Sequence, residues 1–304
     1  MTDTVLILGA NGRFGRNAKD AFLRRGWAVR TFDRTNDNLT DAAKGVDVIV
    51  NGWNPSYEHW ASEIPGQVKA VIKAARANAA TVIIPGNVYV FGINAPDRFA
   101  HDTPQAAENP LGRIRIKMEA AYRESGVQTI VLRAGDFIDT AASGNWFDRV
   151  MAKPLAKGRF VYPGNPDIPH AWAYLPDMAT ATVRLAEMRD KLGTFEDIPF
   201  PGYALTGRAM AKLIGDALGR PIKLKQMSWL PIHLARPFWG AANGILEMRY
   251  LWSKPHVLDD QKFKSLLPDF RHTAPKDALS MAIGALNIHP NEPVARRALS
   301  FEHG

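Results

Sequence analysis

The sequence of 304 residues contains no cysteine. Disulfide bonds, thiolate nucleophiles and cysteine-bound metal ions are therefore excluded, and a reducing compartment is compatible with the composition. The chain also lacks an uncharged apolar run of about 18 residues, so we do not expect a membrane-spanning helix. It begins without a basic segment followed by an apolar one, and we therefore expect no signal peptide and a cytoplasmic location.

Basic runs, internal repeats and low-complexity tracts are missing as well. The formal net charge is +8, but the lysines and arginines are scattered along the chain. Scattered cations form no stripe for nucleic acid, so none is expected as a partner. The positive balance instead favours a small anionic ligand such as a nucleotide, a phosphate or a carboxylate. We expect neither a metal site nor stable insertion into a membrane. The sequence leaves open whether the chain forms a homodimer.

The first thirty-odd residues carry the clearest motif. An apolar run at 5–8 is followed by three spaced glycines and then by a helical pattern from about residue 13 to 25. In a strand, glycine turn and helix, the first glycine allows a sharp turn, the second allows close approach of a pyrophosphate, and the third allows close packing of helix on strand. The helix N-terminus then faces an anion. The residues predicted here to bind a dinucleotide are Gly9, Asn11, Gly12, Arg13, Phe14 and Gly15.

A second predicted strand at 28–32 ends in an acidic and a basic residue. Asp33 lies 33 − 9 = 24 residues after Gly9. A carboxylate at this place can accept hydrogen bonds from the adenine ribose hydroxyls of NAD. Arg34 could instead bind the 2′-phosphate of NADP or stack on adenine. We favour NAD and keep NADP as the alternative.

These motifs resemble the nucleotide-binding start of the short-chain dehydrogenase/reductase superfamily. The resemblance is greatest to its extended and atypical branch, which includes NAD-dependent epimerases and dehydratases and NmrA-like proteins. It implies an α/β fold with a doubly wound (Rossmann), mostly parallel sheet and a smaller C-terminal α/β substrate domain. The dinucleotide-binding domain is expected at 1–160, with 171–190 returning to it. The smaller domain is expected at 161–170 and 191–304.

Two later loops are expected at the carboxyl ends of strands, where cofactors and substrates bind in such sheets. Trp53 follows a predicted strand at 46–50 and either lies against the cofactor or only plugs the loop. Residues 85–92, after a strand at 81–84, resemble the family segment that runs from a catalytic serine or threonine to Val-Tyr-Gly. The hydroxyl position falls on Asn87, whose amide can donate a hydrogen bond to a carbonyl. Tyr89 is a candidate acid if it faces the cleft, and a core residue otherwise.

The segment 109–119 resembles the helix that carries Tyr-x-x-x-Lys in the family, in which the tyrosine exchanges a proton and the lysine lowers its pKa. Aligned on Pro-x-Gly-Arg, the two positions fall on Leu111 and Arg115. A shift by two residues gives Arg113 and Lys117. Neither alignment supplies a tyrosine. Arg115 is predicted to hold a ribose or phosphate near the reacting atoms, or, as the alternative, to pair with Glu119 on an exposed helix face.

Further along, residues 126–137 resemble the family's Leu-Arg-Pro-Gly segment. Asp136 and Phe137 are therefore candidate pocket residues. His170 is a candidate acid or base, because its reference pKa lies near neutrality, although a single histidine is more often structural.

The sequence thus leads to two hypotheses. The first is an NAD(P)-dependent oxidoreductase, or an epimerase or dehydratase, that moves a hydride to or from a carbonyl or carbinol carbon of a small substrate. An anionic substrate such as a nucleotide-sugar would suit the net charge. Asn87, Tyr89 and Arg115 would stand near the reacting atoms. The second is an NmrA-like protein that binds NAD(P) as a sensor or scaffold without catalysis, which the missing tyrosine favours.

Overall fold

The computed structural model describes residues 2–288, and six of its strands form one parallel sheet. The strands are β1 (Thr4–Leu8), β2 (Ala28–Phe32), β3 (Val48–Asn51), β4 (Thr81–Gly86), β5 (Arg98–Phe99), β6 (Thr129–Arg133), β7 (Asp136–Ile138), β8 (Arg159–Tyr162), β9 (His170–Tyr174), β10 (Phe195–Pro199), β11 (Tyr203–Leu205), β12 (Lys223–Gln226) and β13 (Val257–Leu258). The order in the main sheet is β2-β1-β3-β4-β6-β10, with all neighbours parallel.

Helices cover both faces of this sheet. They are α1 (Arg13–Arg24), α2 (Leu39–Ala42), α3 (Trp60–Asn78), α4 (Pro110–Glu124), α5 (Leu175–Glu187), α6 (Gly207–Leu218), α7 (Leu230–Ala235), α8 (Ala241–Glu247), α9 (Gln261–Leu266) and α10 (Pro275–Gly284). α1 and α5 pack on one face, and α3 and α4 pack on the other. The central strands are mostly apolar because both of their faces are buried. The predicted doubly wound α/β fold is confirmed.

The strand order places a crevice at one end of the sheet. The chain runs from β1 outward to β2 and then crosses to β3 on the other side of β1. The connections that follow β1 and β3 therefore run in opposite directions and leave a crevice between them. Doubly wound sheets bind ligands at such a change in strand order. β2 forms one edge of the sheet and is largely exposed. The predicted cofactor motif and the loop of Trp53 both lie at this end.

The C-terminal part builds a further core from two small sheets and several helices. Its sheets are β11-β9-β7 and β12-β8, and its core contains Trp172, Trp229 and Trp252. A third small sheet, β13-β5, contributes Phe99 and Leu258 to the core on the α3 and α4 face of the main sheet. Thr206 caps α6 by accepting a hydrogen bond from the Ala209 N–H at 3.0 Å. Threonine is a favoured residue at this position before a helix. Within residues 2–288, none of the helices combines the length and apolar character needed to cross a bilayer.

The predicted division into two domains stays a prediction, but two strands fall differently from its boundaries. β10 was expected in the smaller domain, and it pairs with β6 as the outermost strand of the main sheet. β8 extends across residue 160 and pairs with β12 of the C-terminal part. The pattern of a short strand does not reveal its partner, because parallel pairing joins residues far apart in sequence.

A buried ionic network joins β6, α4 and β10. The Arg133 guanidinium donates to Glu119 (2.7 Å) and to Asp197 (2.5 Å), and both Arg133 and Glu119 have fully buried side chains. These two carboxylates raise the pKa of Arg133, although burial opposes them. Gln105 donates to the same Glu119 carboxylate. The predicted Arg115–Glu119 pair on an exposed face is wrong, because Glu119 points inward to Arg133.

We expect Glu119→Gln to lower the free energy of unfolding by roughly 3 kcal/mol, because it leaves the Arg133 charge buried with Asp197 as its only carboxylate. Urea unfolding followed by circular dichroism measures this. The control is Asp216→Asn, which breaks the exposed Lys212–Asp216 pair and is expected to change stability by about 0.5 kcal/mol or less. Equal effects of the two variants would show that the buried network does not stabilise the fold.

Candidate functional site

The glycine turn after β1 has the close contacts that the motif requires. Gly9 has a φ of +72°, a left-handed conformation that favours glycine, and its carbonyl accepts a hydrogen bond from the Gly12 N–H at 2.9 Å. A Cβ atom on Gly15 would lie 2.2 Å from the Gly9 carbonyl oxygen. Gly12 caps α1 without a side-chain hydrogen bond, so the first N–H groups of the helix are available to an anion.

The other residues of this motif divide by burial. Asn11, Gly12 and Arg13 are exposed at the turn. Arg13 donates to the Gly144 carbonyl at 3.2 Å, so its guanidinium lies beside the loop that follows β7. The Phe14 side chain is 4 % exposed and belongs to the core, which leaves only its backbone for a cofactor.

Asp33 and Arg34 directly follow β2, and Arg34 lies beside Trp53, which follows β3. The Asp33 carboxylate accepts hydrogen bonds from the Thr35 N–H and the Asn36 amide, and these bonds lower its pKa. The Arg34 guanidinium lies 5.6 Å from the centre of the Trp53 ring. Trp53 is half-buried against Phe32, with ring centres 5.5 Å apart. It also lies over Gly9, so it both closes the loop and borders the predicted cofactor site.

The exposure pattern of α4 decides between the two alignments with Tyr-x-x-x-Lys. Leu111 and Arg115 are buried, whereas Arg113 and Lys117 are exposed. The inward-facing pair is therefore Leu111 and Arg115. Leu111 presents no proton to a substrate, and its backbone N–H donates to Glu247 at 2.7 Å.

Arg115 is a buried cation. Its guanidinium carbon lies 4.2 Å from the centre of the Trp60 ring, a cation–π contact, and it also donates to the Asn54 side chain. Its Nε–H has no hydrogen-bond partner among the described residues. Burial lowers the pKa of Arg115, and the nearby Glu119, Tyr89 and Tyr57 oppose that shift.

Tyr89 shares a short hydrogen bond with a residue that the sequence analysis missed. The hydroxyl oxygens of Tyr89 and Tyr57 are 2.6 Å apart. Burial raises the pKa of Tyr89 well above its ordinary value, whereas Arg115 lowers it. The Asn87 Oδ1 accepts from the Tyr89 N–H, which caps the short 3₁₀ helix Val88–Val90 and fixes the amide beside the pair. Tyr57 follows the loop after β3, and this position was its only sequence signal.

These tyrosines line a small cavity of about 20 Å³, which can hold one or two water molecules. Asp136, a candidate pocket residue from the sequence, also lines the cavity and adds a carboxylate to its polar side. Phe137, the other predicted one, is not among the lining residues and packs against the core. The remaining wall is mostly apolar and comes from Trp146, α8 and the 3₁₀ segment after it. Those residues are Trp146, Ile245, Met248, Leu251 and Trp252.

His170 contacts the Asp136 carboxylate. Its Nε2 lies 2.7 Å from the Asp136 carboxylate, and its ring stacks on Trp252 with centres 4.4 Å apart. A second buried histidine, His256, lies 4.3 Å away between ring centres. The His256 Nδ1 donates to the Lys254 carbonyl, and its Nε2 has no partner among the described residues. No group of three or more His, Asp and Glu residues in 2–288 could hold a metal ion.

Solved structures with the same fold are numerous. Human epimerase family protein SDR39U1 with NADPH is 16% identical, with a TM-score of 0.71 over 92% of this chain and 99% of that one. UDP-glucuronic acid 4-epimerase from Bacillus cereus with NAD is 13% identical, with a TM-score of 0.72 over 93% and 96%. GalE-like L-threonine dehydrogenase from Cupriavidus necator is 17% identical, with a TM-score of 0.71 over 94% and 100%.

These likenesses confirm the fold that the sequence resemblance implied. No protein-family model matches the chain, and the comparison with curated proteins also gives no match. Identities this low carry the fold alone.

The buried His256 is expected to make stability fall with acid. Burial and the neighbouring His170 lower its pKa to about 3, whereas in the unfolded chain it takes up a proton near pH 6.5. Its contribution is therefore present above about pH 6.5 and is lost as the pH falls towards 3. Between about pH 6 and 5 we expect this histidine to reduce the free energy of unfolding by about 1 kcal/mol per pH unit.

Urea unfolding across that pH range measures the slope. His256→Asn is expected to flatten it, whatever the variant's absolute stability. His101→Asn, at an exposed position, is the control and should keep the wild-type slope. Parallel slopes for the wild type and His256→Asn would contradict this assignment.

Proposed function

We propose that the chain is an NAD(P)-dependent oxidoreductase, or an epimerase or dehydratase that uses the same hydride step. One observation carries the proposal: a glycine turn shaped for a pyrophosphate lies in the same crevice as a tyrosine pair and a buried arginine. The cavity beside the Tyr57–Tyr89 pair is the expected place of the reacting carbon. The neighbours bound to NAD and NADPH support the choice of cofactor.

The residues fit a dinucleotide. Gly12 and Gly15 leave the α1 N-terminus open to a pyrophosphate, and Asp33 lies exposed where a ribose would need acceptors. We propose NAD rather than NADP, because a carboxylate repels a 2′-phosphate. NADP is the alternative, since both Asp33 oxygens already accept hydrogen bonds and Arg34 lies beside them. When bound, the nicotinamide supplies or accepts the hydride.

The tyrosine pair replaces the proton donor that Leu111 cannot provide. In reduction, the substrate carbonyl oxygen takes a proton from a tyrosyl hydroxyl as the carbon receives the hydride. In oxidation, the carbinol hydroxyl returns that proton. Burial raises the pKa of both Tyr57 and Tyr89, and the Arg115 charge opposes that shift and so favours the phenolate form. The Asn87 amide can donate a hydrogen bond to the same oxygen.

The proposed substrate is a small carbonyl or carbinol compound. The net charge of +8 and the cations Arg13 and Arg115 support an anionic one, such as a nucleotide-sugar. The UDP-glucuronic acid 4-epimerase among the neighbours also supports that class. The apolar wall of the cavity favours a substrate whose reacting end also has an apolar side.

A second candidate is a protein that binds NAD(P) without catalysis. Two observations favour it: an apolar Leu111 in place of the proton donor, and a cavity of only about 20 Å³. The polar group of Tyr57, Tyr89 and Asp136 favours the enzyme, because a binding-only protein has no need of it.

The first experiment is to denature the purified protein and identify any released dinucleotide by mass spectrometry. A near-stoichiometric amount of NAD or NADP would identify the cofactor and favour an enzyme that retains it through each cycle. An empty protein would then be titrated with NADH and NADPH, followed by nicotinamide fluorescence. Absence of binding in both experiments would contradict the proposal.

We expect Gly15→Ala to abolish dinucleotide binding, because the added methyl group would lie 2.2 Å from the Gly9 carbonyl oxygen and displace α1 from the turn. Gly66→Ala is the matched control, since it also adds a methyl group to a helical glycine but meets no atom within 4 Å. It should keep binding and gain up to about 1 kcal/mol of stability. Similar dinucleotide affinities of the two variants would show that the glycine turn does not bind the cofactor.

Tyr89→Phe is expected to reduce kcat by roughly 10²–10⁴-fold with the dinucleotide affinity unchanged, because it removes the proton transfer but not the cofactor site. Turnover is followed as NAD(P)H absorbance with a panel of carbonyl compounds. Tyr250→Phe is the control, since it removes a buried hydroxyl that has no partner among the described residues. Unchanged turnover in both Tyr89→Phe and Tyr57→Phe would remove the pair from the mechanism.

A further inference from the structure

The segment from α7 to α8 exposes four large apolar side chains together. Leu230 is 61 % exposed, Leu234 68 %, Phe238 92 % and Trp239 41 %. We call these four residues the hairpin patch. The other large apolar residues exposed in 2–288 are Leu23 on α1, Ile93 in a turn and Met281 on α10. Scattered exposed residues are ordinary, whereas a contiguous group marks an interaction surface.

The patch follows helical geometry beyond the end of α7. Leu230, Leu234 and Phe238 are spaced four residues apart, which places them on one side of a helix. The turn after α7 continues this course, because the N–H groups of Phe238 and Trp239 both donate to the Ala235 carbonyl. The exposed face is therefore continuous.

A firm base supports the patch. Gly244 of α8 packs so closely on Tyr57 that an added Cβ would lie 2.5 Å from the Tyr57 Cβ and 2.7 Å from its ring. At the start of α7, Trp229 is 7 % exposed and donates to the Pro163 carbonyl at 2.7 Å. Binding through the patch would therefore require little further ordering of the chain.

The charges around the patch are mainly positive. Arg236 and His233 are exposed within the same segment, and the exposed Arg249 lies 5.1 Å from the centre of the Trp229 ring, directly before Leu230 in sequence. The only acid in 228–249, Glu247, is held inward by the Asn109 amide and the Leu111 N–H. One further acid, Glu58, lies against Gly240 at the base of the turn. Aromatic and leucine side chains flanked by arginine are the composition of segments that lie in the interface of an anionic bilayer.

We propose that the hairpin patch docks the protein reversibly on an anionic lipid surface. Phe238, Trp239 and the two leucines enter the headgroup region, and Arg236 and Arg249 remain at the level of the phosphates. A second copy of the chain fits less well, because a two-fold interface presses a patch against itself and brings these arginines together. The proposal is independent of the proposed enzymatic function.

The test is flotation of the full chain with phosphatidylcholine vesicles, with and without phosphatidylglycerol. We expect binding to the anionic vesicles, weaker binding to the neutral ones, and release by salt. The double variant Leu234→Ser/Phe238→Ser should weaken binding roughly tenfold or more at unchanged Tm. Arg236→Gln should weaken binding to the anionic vesicles alone. The control Ile93→Ser removes an apolar side chain that is 61 % exposed outside the patch, and it should bind as the wild type does.

Three results would overturn the proposal: no binding to anionic vesicles at low salt, equal binding to neutral vesicles, or an equal loss in Ile93→Ser. A fourth contrary result would come from light scattering, which measures the oligomeric state. A dimer that the double variant dissociates, without vesicle binding by the wild type, would assign the patch to a second copy of the chain.

Discussion

The buried charge of Arg133 constrains much of the candidate site. A guanidinium without exposure to water must be surrounded by acceptors, and here these come from α4, β10 and the loop after β4. Glu119 holds α4 against the sheet, and the Asn87 carbonyl holds the loop that carries Tyr89. The positions of Arg115 on α4 and of the tyrosine pair therefore depend on a cation that does not itself line the cavity.

The same region differs from the Tyr-x-x-x-Lys pattern that the sequence resembles. Leu111 and Arg115, the two residues aligned with that tyrosine and lysine, are buried on α4. The polar groups that line the cavity lie on other elements: Tyr57 after β3, Tyr89 after β4, and Asp136 on β7. Arg115 is close enough to affect both tyrosines electrostatically. A buried cation therefore lies near both phenols.

The polar and apolar walls of the cavity come from different halves of the chain. The polar wall lies at the carboxyl ends of sheet strands, which is where doubly wound folds bind ligands. Most of the apolar wall comes from α8 and the 3₁₀ segment after it. The hairpin patch lies on α7 and on the turn that precedes α8. The region 230–252 thus lines the cavity with its later residues and exposes apolar side chains with its earlier ones.

The sequence by itself determined the fold class and the glycine turn. Strand, turn and helix are local, and glycine spacing reports directly on backbone geometry that other residues cannot adopt. It also singled out Tyr89 and Asp136, which line the cavity, and Asn87, which caps the short helix that carries Tyr89. Only the tertiary structure decided which face of α4 is buried, that Glu119 pairs with Arg133 rather than Arg115, that β10 joins the main sheet, and that Tyr57 meets Tyr89. Each of these depends on contacts between residues distant in the chain, whose partners local patterns of hydrophobicity and charge do not specify.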